Sequence, residues 1–248
     1  NTRNLPRETR AGLVPEIPLE NLYFPESSLP PVFLYKVGLT ARQWFRDRGK
    51  ALTILLQPLV IGFLFSQIFS SQTSLWIVAF ALILCASWLS LSLSIREVVS
   101  EREILNNEFR KGVSVTTTAL AKMILPTAIA CIQIVAVFLL MNFRVGIPLT
   151  PAMIPALLAM VTAPVATGLM VSSFAKNPGQ ANAFLPLLII PQVALAGALV
   201  PLDQMLPVGR ALSTLIWSRY NQGSLLNLFL NREDPLRNIV VALAIALG

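Results

Sequence analysis

Residues 75–141 read LWIVAFALILCASWLSLSLSIREVVSEREILNNEFRKGVSVTTTALAKMILPTAIACIQIVAVFLLM. Residues 75–95 and 123–141 carry no charged side chain, and each run is long enough to cross a hydrocarbon core that takes roughly 20 residues. The segment between them holds Arg96, Glu97, Glu101, Arg102, Glu103, Glu108, Arg110, Lys111 and Lys122. Charges at that density are too costly to keep at bilayer depth. The stretch therefore predicts two membrane spans joined by a charged helix outside the membrane.

Working outward, further apolar runs lie at 51–70, 152–174 and 179–200, and another begins near Ile239. With the third span extended over 113–142, these predict an all-α polytopic membrane helix bundle of six transmembrane helices, the last one truncated. Pro58, Pro126, Pro155, Pro164, Pro186 and Pro191 fall inside the runs. Neighbouring helices can re-satisfy the carbonyls that such prolines free. Composition agrees with a membrane protein: 55% of residues are hydrophobic and 12% charged, against about 25% charged in soluble domains. Mean hydropathy is +0.69.

The net charge of +7 sits beside apolar segments. That placement suits anionic lipid headgroups rather than nucleic acid, and no nucleic-acid partner is expected. Cys85 and Cys131 lie within apolar runs and the chain has no histidine, so free buried thiols are expected and a metal site is not. Residues 1–31 carry Pro6, Pro15, Pro18, Pro25, Pro30 and Pro31 without periodicity, the composition of a linker. The chain starts at Asn1 and stops at Gly248 within an apolar run, which predicts a portion of a longer polypeptide.

Residues 32–50 place Phe33, Val37, Ala41, Trp44 and Phe45 at helical spacing, with Lys36, Arg42, Arg46, Arg48 and Lys50 around them. This predicts an amphipathic helix at the membrane surface. Eight Lys and Arg precede residue 51 and four lie in 96–112, against none in 71–74 and Arg144 alone in 143–151. The N-terminus and the 96–112 loop are thus expected on the cytoplasmic side. The 201–237 loop is then external, against the rule, since it carries Arg210, Arg219, Arg232 and Arg237. Its middle, LPVGRALSTLIW, suits a return into the interface.

From the residues alone, 96–112 has two readings. It is a solvated loop helix, or it is a docking helix with Val98, Leu105 and Phe109, beside Ile104, as its apolar stripe. A wider pattern separates them. Glu101, the pair Ile104-Leu105, Glu108, Gly112 and Lys122 resemble the coupling-helix region of G-type (type-2 exporter) ABC transporter transmembrane domains. Arg42, Arg46 and Asp47 resemble that family's connecting helix. AGALVP at 196–201 resembles the turn at the top of the fifth span, and SRY at 218–220 its external segment. The resemblance covers roughly residues 32–248.

The resemblance implies an exporter membrane domain over 32–248 that pairs with a second copy of itself and is driven by a nucleotide-binding domain. That domain would lie upstream on the same polypeptide, joined through the 1–31 linker, and would hold ATP and Mg. This chain has no phosphate loop, so no cofactor and no catalytic residue are expected in it. Glu101, Ile104, Leu105, Glu108 and Phe109 would couple to the ATPase. Trp88 and Ser90 of the second span, with Asn182, Phe184 and Gln192 of the fifth, would line the path. Leu199 would match the leucine plug, and Ala198 stands where some members carry a second leucine. A bacterial inner membrane is the expected location. The absence of ionisable residues from the span cores argues against ion coupling and for a lipid-like or hydrophobic cargo. The alternatives are a type-2 permease for polysaccharide with a separate ATPase, and a membrane anchor or regulatory protein without a transport path.

Overall fold

The computed structural model of the chain describes residues 29–147, 150–151 and 153–230. Residues 1–28 of the expected linker and the span expected from Ile239 lie outside the described residues. Every regular element within them is helical. In chain order these are α1 (Leu29–Arg46), α2 (Arg48–Ile68), α3 (Leu75–Ser94), α4 (Arg102–Arg110), α5 (Val115–Val145), α6 (Met153–Phe174), α7 (Pro178–Leu195), α8 (Pro207–Ser213) and α9 (Trp217–Phe229).

The expected six spans are corrected. Among the described residues four helical segments are long and apolar enough to cross a membrane: α2, the 75–110 segment that opens with α3, α5 and α6. The fifth run, expected as a span over 179–200, is not one of them. Gln180, Asn182 and Gln192 dilute its apolar character, and Pro186 and Pro191 interrupt it. The helix ends at Leu195, and Gly197 turns the chain at φ +87°, a left-handed conformation that glycine adopts without strain.

α3 is the central helix, packed on α5, α6, α7 and α9. Leu82, Leu89 and Leu91 are fully buried there. α2 packs chiefly on α5 and exposes Leu55, Leu59 and Phe63 on its other side, as a lipid-facing helix does. Two glycines permit close approach. A Cβ on Gly62 would lie 3.2 Å from the Val137 Cα of α5, and one on Gly168 would collide with the Ser94 Oγ of α3. Small residues at such crossings let helices pack without a hydrophobic driving force.

The segment after α7, expected as an external loop that returns into the interface, folds into α8 and α9. Trp217, Asn221, Gln222, Leu225 and Leu228 of α9 are buried against α3 and α6, and Phe229 stacks on Phe138 of α5 at 6.4 Å. Arg210 donates to the carbonyls of Leu202 and Asp203 at 3.0 and 2.8 Å, and Arg219 donates to Ser213 Oγ at 2.7 Å. These two arginines serve local turns. Both cysteines are free.

Candidate functional site

The break between α1 and α2 starts the site. Asp47 Oδ1 accepts from the backbone N–H of Gly49 and Lys50 at 3.0 and 3.2 Å. This N-cap satisfies donors that a helix start leaves free. It ends α1 and sets Trp44 and Lys50 on either side of the bend, where Lys50 Nζ lies 3.7 Å over the Trp44 ring. On α1, Phe33, Lys36, Val37, Thr40 and Trp44 turn inward. The Trp44 face thus rests on the protein, while Leu34 and Tyr35 are exposed.

Glu97, just past the end of α3, is the hub. It is buried. Its Oε1 accepts from Trp44 Nε1 at 2.9 Å and its Oε2 from Lys50 Nζ at 3.3 Å. Lys122 Nζ on α5 lies 3.9 Å from Glu97 Oε1 and donates to Glu101 Oε2 at 2.7 Å. About two turns further along α4, Lys36 Nζ donates to Glu108 Oε2 at 2.6 Å and to Thr118 Oγ1 at 2.8 Å. Lys36, Lys50 and Lys122 are thereby matched to Glu97, Glu101 and Glu108. Burying charges this way is tolerable only because each is paired and hydrogen-bonded.

A third side of α4 is tied to α6. Ser172 Oγ accepts from the N–H of Val98 and of Val99, both at 3.0 Å. Arg102 Nη2 donates to the Ser173 and Ala175 carbonyls, both at 2.7 Å, where a cation meets the negative end of the α6 dipole. Gly112, at φ +86°, closes α4. The short helix is therefore fastened to α1, α5 and α6 at once. Its remaining face, with Glu103, Ile104, Asn107 and Arg110, is exposed.

The structure divides the residues expected to couple. Glu101 and Glu108 are in the ion-pair network. Leu105 is buried between α1 and α5, Phe109 is half-buried beside an apolar groove of about 420 Å³ shared with α5 and α6, and Ile104 points outward. Arg42 and Arg46 are exposed, and Asp47 is the cap of α2.

The six path residues do not gather on one surface. Trp88, Asn182 and Leu199 are exposed, Ser90 is fully buried, and Phe184 packs on the cluster of Ile95, Val99, Ala175 and Ala181. Gln192 is buried and its Oε1 accepts from the N–H and Oγ of Ser218 at 3.2 and 2.8 Å, a tie between α7 and α9.

The family model described as ABC-2 type transporter matches residues 35–230, from the first turns of α1 to the end of α9, and so takes in the whole ion-pair network. The chain belongs to the ABC-2 type transporter family. No curated protein matches it. This ABC-2 type domain is an integral membrane protein with several apolar helices of spanning length.

Lys36, Trp44, Lys50 and Glu97 went unread as site residues in the sequence. Lys122, part of the family pattern in the sequence, is buried and paired. A signal was present. A lysine at the edge of an uncharged run needs a counter-ion, and Glu97 and Glu101, four apart, are spaced to share one face of a helix.

Proposed function

We propose that this chain is the membrane domain of an ATP-driven exporter of the G type, moving a lipid-like or hydrophobic compound, with α4 on the cytoplasmic side receiving the push of a nucleotide-binding domain. The observation that carries the reading is α4 itself. A short helix fastened on three sides, with Ile104 left 55% exposed on the fourth, can transmit displacement to α1, α5 and α6. A flexible polar loop could not. ATP and Mg would be held by the nucleotide-binding domain, upstream on the same polypeptide, and the working unit would be a pair of copies in a bacterial inner membrane. Apart from Lys122, eight residues into α5, the spanning helices hold no Asp, Glu, Lys or Arg away from their ends, which supports ATP rather than an ion gradient as the driving force.

The test uses the intact transporter reconstituted in vesicles. Glu108→Ala and Ile104→Asp should reach the membrane at normal levels yet lose cargo-stimulated ATP hydrolysis and most transport. Glu26→Ala should change neither. Normal transport by Glu108→Ala and Ile104→Asp would make α4 a solvated turn and sink the coupling role.

The pairing is tested separately. Leu199, 64% exposed at the end of the α7 segment, should crosslink two copies when replaced by cysteine. Absence of crosslinking at Leu199 and at the exposed Trp88 and Asn182 positions would argue against an axis formed by α3 and α7.

A further inference from the structure

α2 leans on α5 and α1, and α3 on α5 and α6. At the end of the bundle where α1 lies, this leaves a cavity of about 510 Å³ between α2 and α3, closed on one side by Pro178 at the start of α7. That volume is within the usual range of small-molecule sites, roughly 300–1,000 Å³. The cavity begins at Asp47, which caps α2, a helix of spanning length. It therefore opens at the level of lipid headgroups.

Its walls are graded. Lys50 and Arg96 stand at the mouth, and Ile54 and Leu93 line it deeper, Ile54 about 6 Å further along α2 at the helical rise. Two acids also border it, and both are engaged. Glu97 holds Trp44 and Lys50, and Asp47 Oδ1 caps α2. Arg96 differs. Its side chain is exposed and makes no ion pair or hydrogen bond among the described residues. Lys50 Nζ retains donors beyond its one bond to Glu97, and its side chain is 34% exposed. A free guanidinium beside a second cation is the arrangement that binds a phosphate, the guanidinium through two parallel N–H groups.

We infer that this cavity binds the phosphate headgroup of a membrane phospholipid, with Arg96 as the anion anchor, Lys50 as the second contact, and Ile54 and Leu93 against the start of the acyl region. The site requires nothing of the cargo or of ATP coupling. Its failure would leave the proposed function standing, and the reverse holds too.

The experiment takes the intact protein, delipidated in detergent, and counts bound dioleoylphosphatidylglycerol by native mass spectrometry. One tight lipid per chain is expected. Arg96→Gln should weaken it roughly tenfold, the loss of a charge-assisted contact. Arg96→Lys should retain part of the affinity, and Arg144→Gln, an exposed cation at the far end of α5, should retain all of it. Dioleoylglycerol should not occupy the site, and millimolar inorganic phosphate should not displace the lipid. In the wild-type protein, a phosphatidylglycerol with a photoreactive headgroup should crosslink within residues 47–57 and 92–100, a result independent of how any variant folds. Unchanged affinity in Arg96→Gln, equal binding of dioleoylglycerol, or crosslinks confined to other segments would overturn the site. Displacement by phosphate would make it a site for the free ion.

Discussion

Where α1 and α4 meet the bundle, helices are joined through charge; where α7 meets α9, they are joined through neutral groups. The first region pairs Glu97, Glu101 and Glu108 with Lys36, Lys50 and Lys122. The second relies on Gln192 with Ser218, and beside it Trp217 Nε1 of α9 donates to Ser87 Oγ of α3 at 3.3 Å. The depth of each region gives the reason. Charges are affordable near the membrane boundary, and mutual pairing makes the joint stiff, because breaking one pair strands the other ion. Deeper in the bundle an ionised group is far more costly, and neutral contacts between helices are individually weak. The charged joint holds its helices together as one piece. The neutral joint suits helices whose relative positions can change at small cost.

Two measurements sharpen that contrast. The larger effect belongs to the hub. Glu97→Ala leaves Lys122 with one partner, Lys50 with only the Trp44 ring, and the Trp44 N–H without its acceptor. It should destabilise the protein by about 3–5 kcal/mol, read as a large fall in the thermal unfolding midpoint in detergent. Glu97→Gln, whose amide oxygen can still accept from Trp44 Nε1 or Lys50 Nζ, should be less harmful than Glu97→Ala. A Glu97→Ala protein as stable as wild type would remove the distinction between the two regions.

The smaller effect belongs to the α7–α9 tie. Ser218→Ala should cost about 0.6 kcal/mol, and at most about 1.7. The same unfolding measurement, with hydrogen exchange of the α9 amides, checks it. A loss as large as that of Glu97→Ala would show the neutral joint to be as rigid as the charged one.

The apolar runs of α2, α3, α5 and α6 were legible because a spanning helix needs only length and the absence of charge. α4 was legible for the opposite reason, since a dense charged insert between two such runs has to lie outside the membrane. Its closing Gly112 was equally plain. α7 misled because its apolar residues are real but interrupted by Asn182, Pro186, Pro191 and Gln192. α9 was not read as an element because WSRYNQGSLLNLF has no long apolar run, and Asn221, Gln222 and Ser224 are buried against other helices.

Composition and spacing by themselves determined an all-α membrane domain, the side of the bundle that carries the charge, and the short helix between the second and third apolar runs. Those features follow from the cost of placing ions in hydrocarbon, and that cost is local to each stretch of chain. Only the tertiary structure decided which lysine meets which carboxylate, that Glu97 is the hub and Lys122 is buried, and that Leu105 turns inward while Ile104 turns out. Lys36 and Glu108 are 72 positions apart, and Trp44 and Glu97 are 53 apart. No periodicity spans such distances. The pairing is set by how α1 lies across α5, and that depends on the packing of the whole bundle.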